Sequence, residues 1–376
     1  MRFTRPIFGA AASTLAALAV AAPGAFAAPA PETAAPSQGA VFVQTGNLNA
    51  NTVVAYKRSA KGRLTKAGVY QTGGKGGQLE GSKVDYVASQ GSLAMDAETD
   101  TLFAVNAGSN TITEFAVDGT KLTREAIVPS GGEFPASVAV SGESLYVLNA
   151  RGGGSIQGYS LKSGKPKLIK GWNRPLGLDP TATPEFTHTP GQVAFTPDGS
   201  KLIVTTKGNT SSIDVFAVKN GAVAKTPVIT SLPEAVPFAV DFDGAGNLLV
   251  SEAGPNAIAS FKIASNGSLT PLAAAVPTGQ EATCWITTVG NTAFVSNAGS
   301  GTVSAFGVKG SALTPLGNTL TSPGTVDSAT VGTYLYVQTG GEGIVDEFSV
   351  GSAGKLSPIG KVTVPGAVGG EGIVAS

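Results

Sequence analysis

The feature that most constrains this chain is a motif that returns seven times: a short apolar run, a small polar loop, then a second run of alternating pattern. The copies read VFVQTGNLNANTVVAYKR from Val41, LFAVNAGSNTITEFAV from Leu102, LYVLNARGGGSIQGYSL from Leu145 and LIVTTKGNTSSIDVFAV from Leu202. They continue as LLVSEAGPNAIASFKI from Leu248, AFVSNAGSGTVSAFGV from Ala293 and LYVQTGGEGIVDEFSV from Leu335. Each is a predicted β-hairpin, because period-two alternation around a turn-forming loop suits paired strands. Most copies carry a G-x-L-T type stretch afterwards (RLTKAG, KLTREA, SLTPLA, ALTPLG, KLSPIG) and a short apolar segment before, such as QVAFTPDGSK at 192–201. The unit is therefore four antiparallel strands.

Four strands recurring every 42 to 60 residues or so is the pattern of propeller blades, which stack because one blade cannot bury both its faces alone. The sequence thus predicts an all-β, seven-bladed β-propeller. The longer spacings arise from a Gly-rich insertion at Gly73–Ser82 and a Pro-rich one at Trp172–Thr189, both expected to be loops. The chain enters at the second strand of a blade, and GGEGIVAS at 369–376 matches the first-strand pattern. The C-terminus is therefore expected to supply the inner strand of the N-terminal blade and remove the free edges at the seam.

The first 30 residues, MRFTRPIFGAAASTLAALAVAAPGAFAAPA, place Arg2 and Arg5 ahead of an Ala/Leu-rich stretch that ends in Ala25-Phe26-Ala27. This is the pattern of a secretory signal peptide cleaved after Ala27, and the stretch is shorter than the roughly 20 apolar residues that span a bilayer. Residues 28–40 read as an Ala/Pro-rich disordered leader, and 41–376 as one propeller domain. The expectation is a secreted protein with no membrane insertion, acting as a monomer. Its only cysteine, Cys284, excludes an intramolecular disulfide. A formal net charge of zero with 13% charged residues gives no basic field for nucleic acid. The 51 Gly and 23 Pro suit tight turns between strands.

Antiparallel order brings the start of each inner strand and the end of each second strand to one mouth of the central channel. The inner-strand starts are Ser92, Ser137, Gln192, Phe238, Trp285, Asp327 and Glu371 or Gly372. The second-strand ends are Thr45, Asn106, Asn149, Thr206, Glu252, Asn297 and Thr339, with Arg151 and Lys207 just after. Asn and Thr at such ends can simply close turns through side-chain hydrogen bonds. Glu252 has no such turn preference and is expected to meet Arg151 or Lys207 across the mouth. His188, the lone histidine, ends the Pro-rich insertion and is expected over the same mouth, where Gln192 and Lys207 would hold a substrate carbonyl or carboxylate beside it. Trp285 offers an aromatic wall, and Cys284 reads as a buried small residue because no base is adjacent in sequence. No H-E-x-x-H, clustered Cys/His or EF-hand pattern is present, so neither a metal nor another cofactor is expected. GGKGGQ at 73–78 does not follow a strand and open a helix, and FTPDGSKL at 195–202 is a hairpin turn.

The run QVAFTPDGSKLIVTTKGNTSSIDVFAVKNG, with LFAVNAGSNTITEFAV and LYVLNARGGGSIQGYSL, resembles the seven-bladed lactonase family, which includes propeller-type 6-phosphogluconolactonases and carboxymuconate-lactonising cyclases. The resemblance covers nearly all of the chain after the signal. It implies lactone-forming or lactone-opening chemistry at the channel mouth, with His188, Glu252 and Arg151 as actors. Gln192, Lys207, Asn106, Asn149, Asn297, Trp285 and Asp327 would then line the substrate site, and the ligand would be a small carboxylated or lactone molecule. The alternative is a non-catalytic extracellular propeller that binds a ligand or protein at the same mouth. A lyase like the streptogramin-inactivating propellers would need more histidine and a divalent metal than this chain offers.

Overall fold

A computed structural model describes residues 39–376; the expected signal peptide and the leader through residue 38 lie outside the described residues. Seven antiparallel sheets follow one another along the chain. Blade 1 combines Ile373–Ala375 with Gly39–Gln44, Thr52–Arg58 and Leu64–Gln71. Blade 2 runs Leu93–Asp96, Thr101–Asn106, Thr111–Asp118 and Lys121–Pro129, and blade 3 runs Pro135–Ser141, Ser144–Asn149, Ser155–Ser160 and Lys167–Pro175. Blade 4 runs Val193–Phe195, Lys201–Thr205 and Ser212–Lys219, and blade 5 runs Pro237–Phe242, Leu248–Glu252, Ala257–Ile263 and Leu269–Pro277. Blades 6 and 7 span Thr283–Leu320 and Thr325–Thr363 in the same way. Blade 4 alone breaks its outer strand, into Ala222–Val223 and Val228–Ser231, both paired to the third strand. Pro227, which has no N–H to give a ladder, sits at that break.

Burial follows position in the blade. Second and third strands are near-continuous apolar runs buried on both faces, as in VFVQ and TVVAY of blade 1. Outer strands such as KLTREAIVP expose alternate residues, because the propeller rim faces water. The core is accordingly a series of wedges between neighbouring blades. Phe42, Val53 and Ala55 of blade 1 pack on Leu102, Ala104 and Phe115 of blade 2, and Phe294 and Val303 of blade 6 pack on Leu335, Val337 and Phe348 of blade 7. Tyrosines stitch the wedges: Tyr56 donates its hydroxyl to Thr363 O, Tyr146 to Gly221 O and Tyr336 to Gly62 O, each on a neighbouring blade. Each such bond contributes about 1 kcal/mol.

The ring closes as the sequence predicts. Val41 pairs with Ala375, Phe42 with Val374 and Val43 with Ile373, and the inner strands of successive blades lie side by side around the axis. The blade 1 strand starts at Gly39, two residues before the expected start at Val41.

Candidate functional site at the channel mouth

The mouth is covered. Residues 79–92, which join blade 1 to blade 2, cross it and bond to elements on several sides. Tyr86 N donates to Gly369 O at the seam, Ser89 Oγ to Ala136 O of blade 3, and Gln90 N to Gly191 O ahead of blade 4. On blade 6, Gln90 Nε2 donates to Ile286 O and accepts on Oε1 from Ile286 N, at 2.9 and 2.8 Å, while Trp285 Nε1 donates to Ser89 O at 2.8 Å. Beside blade 7 the segment passes so near Gly340 that a Cβ there would sit 1.6 Å from Val84 O. Asp85 fixes the turn by accepting from Val87 N and Ala88 N on Oδ1 and from Ser89 N on Oδ2, all at 2.9 Å. Leu79, Val87 and Ala88 then bury against Ala107, Phe134 and Ala150, an apolar cluster apart from the wedges.

Beneath this cover most of the expected binding residues are spent on structure. Asn106 donates from Nδ2 to Thr111 and Thr113 and accepts from Asn51 on Oδ1. Asn297 accepts from Thr283 and donates to Thr302 and Ser304. Asn149 donates to Ser130 O, and its buried Oδ1 has no partner among the described residues. Gln192 Oε1 accepts from Val240 N at 2.6 Å. Lys207, 1% exposed, spends all three ammonium protons on Ala88 O, Phe186 O and Thr189 Oγ1 at 2.6 to 3.0 Å. It is a strut tying the cover to the Pro-rich insertion and does not reach a substrate position beside His188.

Asp327 meets Glu371 at the seam through a carboxyl–carboxyl hydrogen bond. Asp327 also accepts from Ser328 N and Ile373 N, and Glu371 from Gly91 N and Ser92 N. Burial pushes Asp327 up to about 6. Burial, then the neighbouring Asp327 charge, raises Glu371 well above the usual carboxylate range, since two carboxyls in contact away from water resist carrying two charges.

Glu252 does not meet Arg151 or Lys207. Its carboxyl is raised by burial alone, and no described residue hydrogen-bonds or ion-pairs with it. Arg151 is taken by a nearer carboxylate, Glu185, which accepts from Nε at 2.6 Å and Nη2 at 3.0 Å. The two groups hold each other charged, raising the guanidinium and lowering the carboxyl. The guanidinium also lies 4.5 Å over the Phe134 ring.

Glu185 and His188 belong to a single helical turn, Glu185–His188, inside the Pro-rich insertion that had been expected to be loop. This turn divides the covered mouth. On one side is a cleft of about 200 Å³ lined by Arg151, Glu133, Asp179, Glu185 and His188. Pro184 O, an acceptor only, lies 2.9 Å from His188 Nδ1, so Nδ1 carries the proton and Nε2 holds a free lone pair beside Gly208. On the other side is an apolar pocket of about 330 Å³ lined by Phe186, Phe238, Trp285, Cys284 and Asp85. Burial pushes the Cys284 thiol up to about 12, so it serves as a soft wall. Among the described residues no group of three or more His, Cys, Asp and Glu is placed to hold a metal ion.

The geometry therefore brings Arg151 and His188 to one cleft, sets Trp285 in another pocket, and leaves Lys207, Gln192, Asn106, Asn149, Asn297, Asp327 and Glu252 outside both. Sequence reasoning missed Glu185 and Asp85. DYVASQG at 85–91 carries the signal for Asp85, an aspartate ahead of three N–H groups it can cap.

No curated protein matches the sequence. Among solved structures the chain is similar to a putative 6-phosphogluconolactonase from Bacteroides fragilis, at 18% identity and TM-score 0.71 over 92% of this chain and 99% of that one. It is similar to another from Bacteroides uniformis, at 16% identity and TM-score 0.74 over 90% and 99%. The periplasmic gluconolactonase PpgL of Pseudomonas aeruginosa gives 16% identity and TM-score 0.72 over 90% and 99%. At these identities the likenesses report the fold alone. The model of the family described as "Lactonase, 7-bladed beta-propeller" matches residues 39–175 and 75–369, and with the seven closed blades described above, the chain belongs to that family.

Proposed function

We propose that this protein is an exported, monomeric hydrolase of small lactones, working in the cleft between Arg151 and His188. The observation that carries this reading is the histidine itself: a backbone carbonyl holds Nδ1–H, and the imidazole lines a cleft that also holds a guanidinium. In that setting Nε2 takes a proton from water as the water oxygen attacks the lactone carbonyl. Arg151 offsets the charge growing on the carbonyl oxygen. The ring C–O bond then breaks, the imidazolium returns the proton to the departing alkoxide, and a hydroxy acid leaves.

Charge selects the substrate. Glu133, Asp179 and Glu185 outnumber Arg151 in the cleft, and Glu185 already occupies two of the guanidinium's donor positions. An uncharged lactone suits this field better than a carboxylated one. Export rests on the N-terminal sequence, and recovery of a chain beginning after Ala27 from outside the cytoplasm tests it.

The activity test is pH-stat hydrolysis of γ-butyrolactone, D-glucono-δ-lactone and a carboxylated γ-lactone by wild type and His188→Ala. The expected result is turnover of the neutral lactones that falls by about 100-fold in the variant. Turnover unchanged in His188→Ala removes this site. No turnover by wild type favours a binding propeller, a reading supported by the engagement of Arg151 with Glu185.

A further inference from the structure

The apolar pocket on the far side of the helical turn takes no part in that reaction, and its chemistry differs from the cleft's. Phe238 and Trp285 open the inner strands of blades 5 and 6 and meet edge to face, with ring centroids 4.9 Å apart at 61°. Phe186 faces the same space from the insertion, and Val84, Ala282, Ala298 and Cys284 complete the apolar wall. A volume of about 330 Å³ lies in the range of small-molecule sites and suits a molecule of one or two rings.

Two buried polar side chains border this wall, and one, Ser82, spends its hydroxyl proton on Leu79 O. Asp85 is 4% exposed, and its two oxygens accept three backbone N–H bonds. A carboxylate offers about four acceptor positions, so one remains for a ligand. No buried cation is free to receive an anion, since the Lys207 ammonium, 5.4 Å over the Phe238 ring, has all three protons engaged. The nearest free cation is Lys83, on the exposed rim.

We propose that this pocket binds an uncharged aromatic molecule bearing one hydrogen-bond donor, of the phenol class, with its ring between Phe186, Phe238 and Trp285 and its hydroxyl donating to Asp85. An apolar ring gains by leaving water for three aromatic walls. The hydroxyl fixes its orientation. A carboxylate on the same ring would lose its water against an apolar wall and find no free cation there.

The chain has two tryptophans, Trp172 and Trp285. In a Trp172→Phe variant, which changes a residue stacked on Tyr146 in blade 3, the remaining indole N–H signal reports on this pocket by NMR. Titration of that protein with 4-ethylphenol, 4-ethylanisole and 4-ethylbenzoate is the test, with calorimetry giving affinities. The expected result is saturable one-to-one binding of the phenol with movement of the Trp285 signal, about tenfold weaker binding of the anisole, and weaker still of the benzoate. Ala298→Phe, which fills the pocket, should abolish binding while lactone hydrolysis persists; Ala298→Leu does the same if the larger substitution fails to fold. The proposal is overturned by absence of saturable phenol binding, by anisole or benzoate binding as tightly, or by undiminished binding in a folded Ala298 variant. Because His188 and Arg151 line the other side of the turn, loss of this site and loss of lactone turnover are separable outcomes.

Discussion

At the scale of single residues, the mouth is governed by which polar groups are already satisfied. Lys207 stands in a left-handed backbone conformation, φ 48°, with its side chain sealed against Ala88 O, Phe186 O and Thr189 Oγ1. Lys207→Met keeps the stem and removes every donor, leaving two buried carbonyls unpaired, and should cost about 3 kcal/mol. Urea unfolding measures that loss. Faster amide exchange confined to residues 85–92 and 185–189 would distinguish loosening of the cover from a general effect. Much of this scale was legible in the sequence. Asn and Thr at second-strand ends read as turn-closing groups, and Asn106, Asn297, Thr45 and Thr206 do close turns. The pairing of Arg151 was not legible, because Glu185 reaches it only through a helical turn that five residues between Pro184 and Pro190 do not announce. Asp85 looked like a loop residue for the same reason that it matters: its partners are its own neighbours.

At the scale of elements, strand identity and ring closure followed from apolar periodicity, while the bends did not. In six blades the pairing of third and outer strands slips just before an aromatic of the third strand: Tyr56, Phe115, Tyr159, Phe261, Phe306 and Phe348. The aromatic recurs visibly in the sequence, yet the extra residue that makes the bulge lies in outer strands of varied composition. The covering segment 79–92 also escaped, since small residues such as Ala88 and Ser89 mark neither strand nor helix. Closure carries the sharper consequence. Removing residues 370–376 takes away the inner strand of blade 1, the Gly372 O that receives Gln44 N, and the Glu371 carboxylate that holds Gly91 and Ser92. That exposes a sheet edge in a ring with no other opening. Thermal melting should show a fall of about 10 °C or more, or an insoluble product. A chain beginning at residue 37 should melt with the full-length protein, and equal melting of both truncations would contradict the role given to the seam.

At the scale of the whole molecule, burial outweighs nearby cations at the buried carboxyls, even at Glu347, which Arg63 reaches at 3.2 Å. Burial raises Asp85 and Glu114 to about 7 and Asp327 to about 6, and it raises Asp214, Asp241, Glu252, Glu347 and Glu371 as well. An acid whose folded pKa lies above its unfolded value, about 4 for these groups, favours the fold most when protonated. Its contribution is full below about pH 4 and is lost as the pH rises through the folded pKa. Asp327 gives up its share between about pH 4 and 6, and its partner Glu371 extends the loss to higher pH. Lys207, lowered to about 7 by burial, runs the other way, but its gain arrives above about pH 7, where the loss from Asp85 is complete. Asp179, Glu185 and Asp198 are lowered but more exposed, so solvent screens their opposing effect. The melting temperature should therefore be highest near pH 4 and fall steadily toward pH 7, against the usual course of acid denaturation. Glu371→Gln separates the seam from the rest: the amide donates to Asp327 at every pH, so the variant should match wild type at pH 4 and melt higher at pH 7. A flat wild-type profile, or a Glu371→Gln curve parallel to it, would show that the seam does not hold its proton in the folded ring.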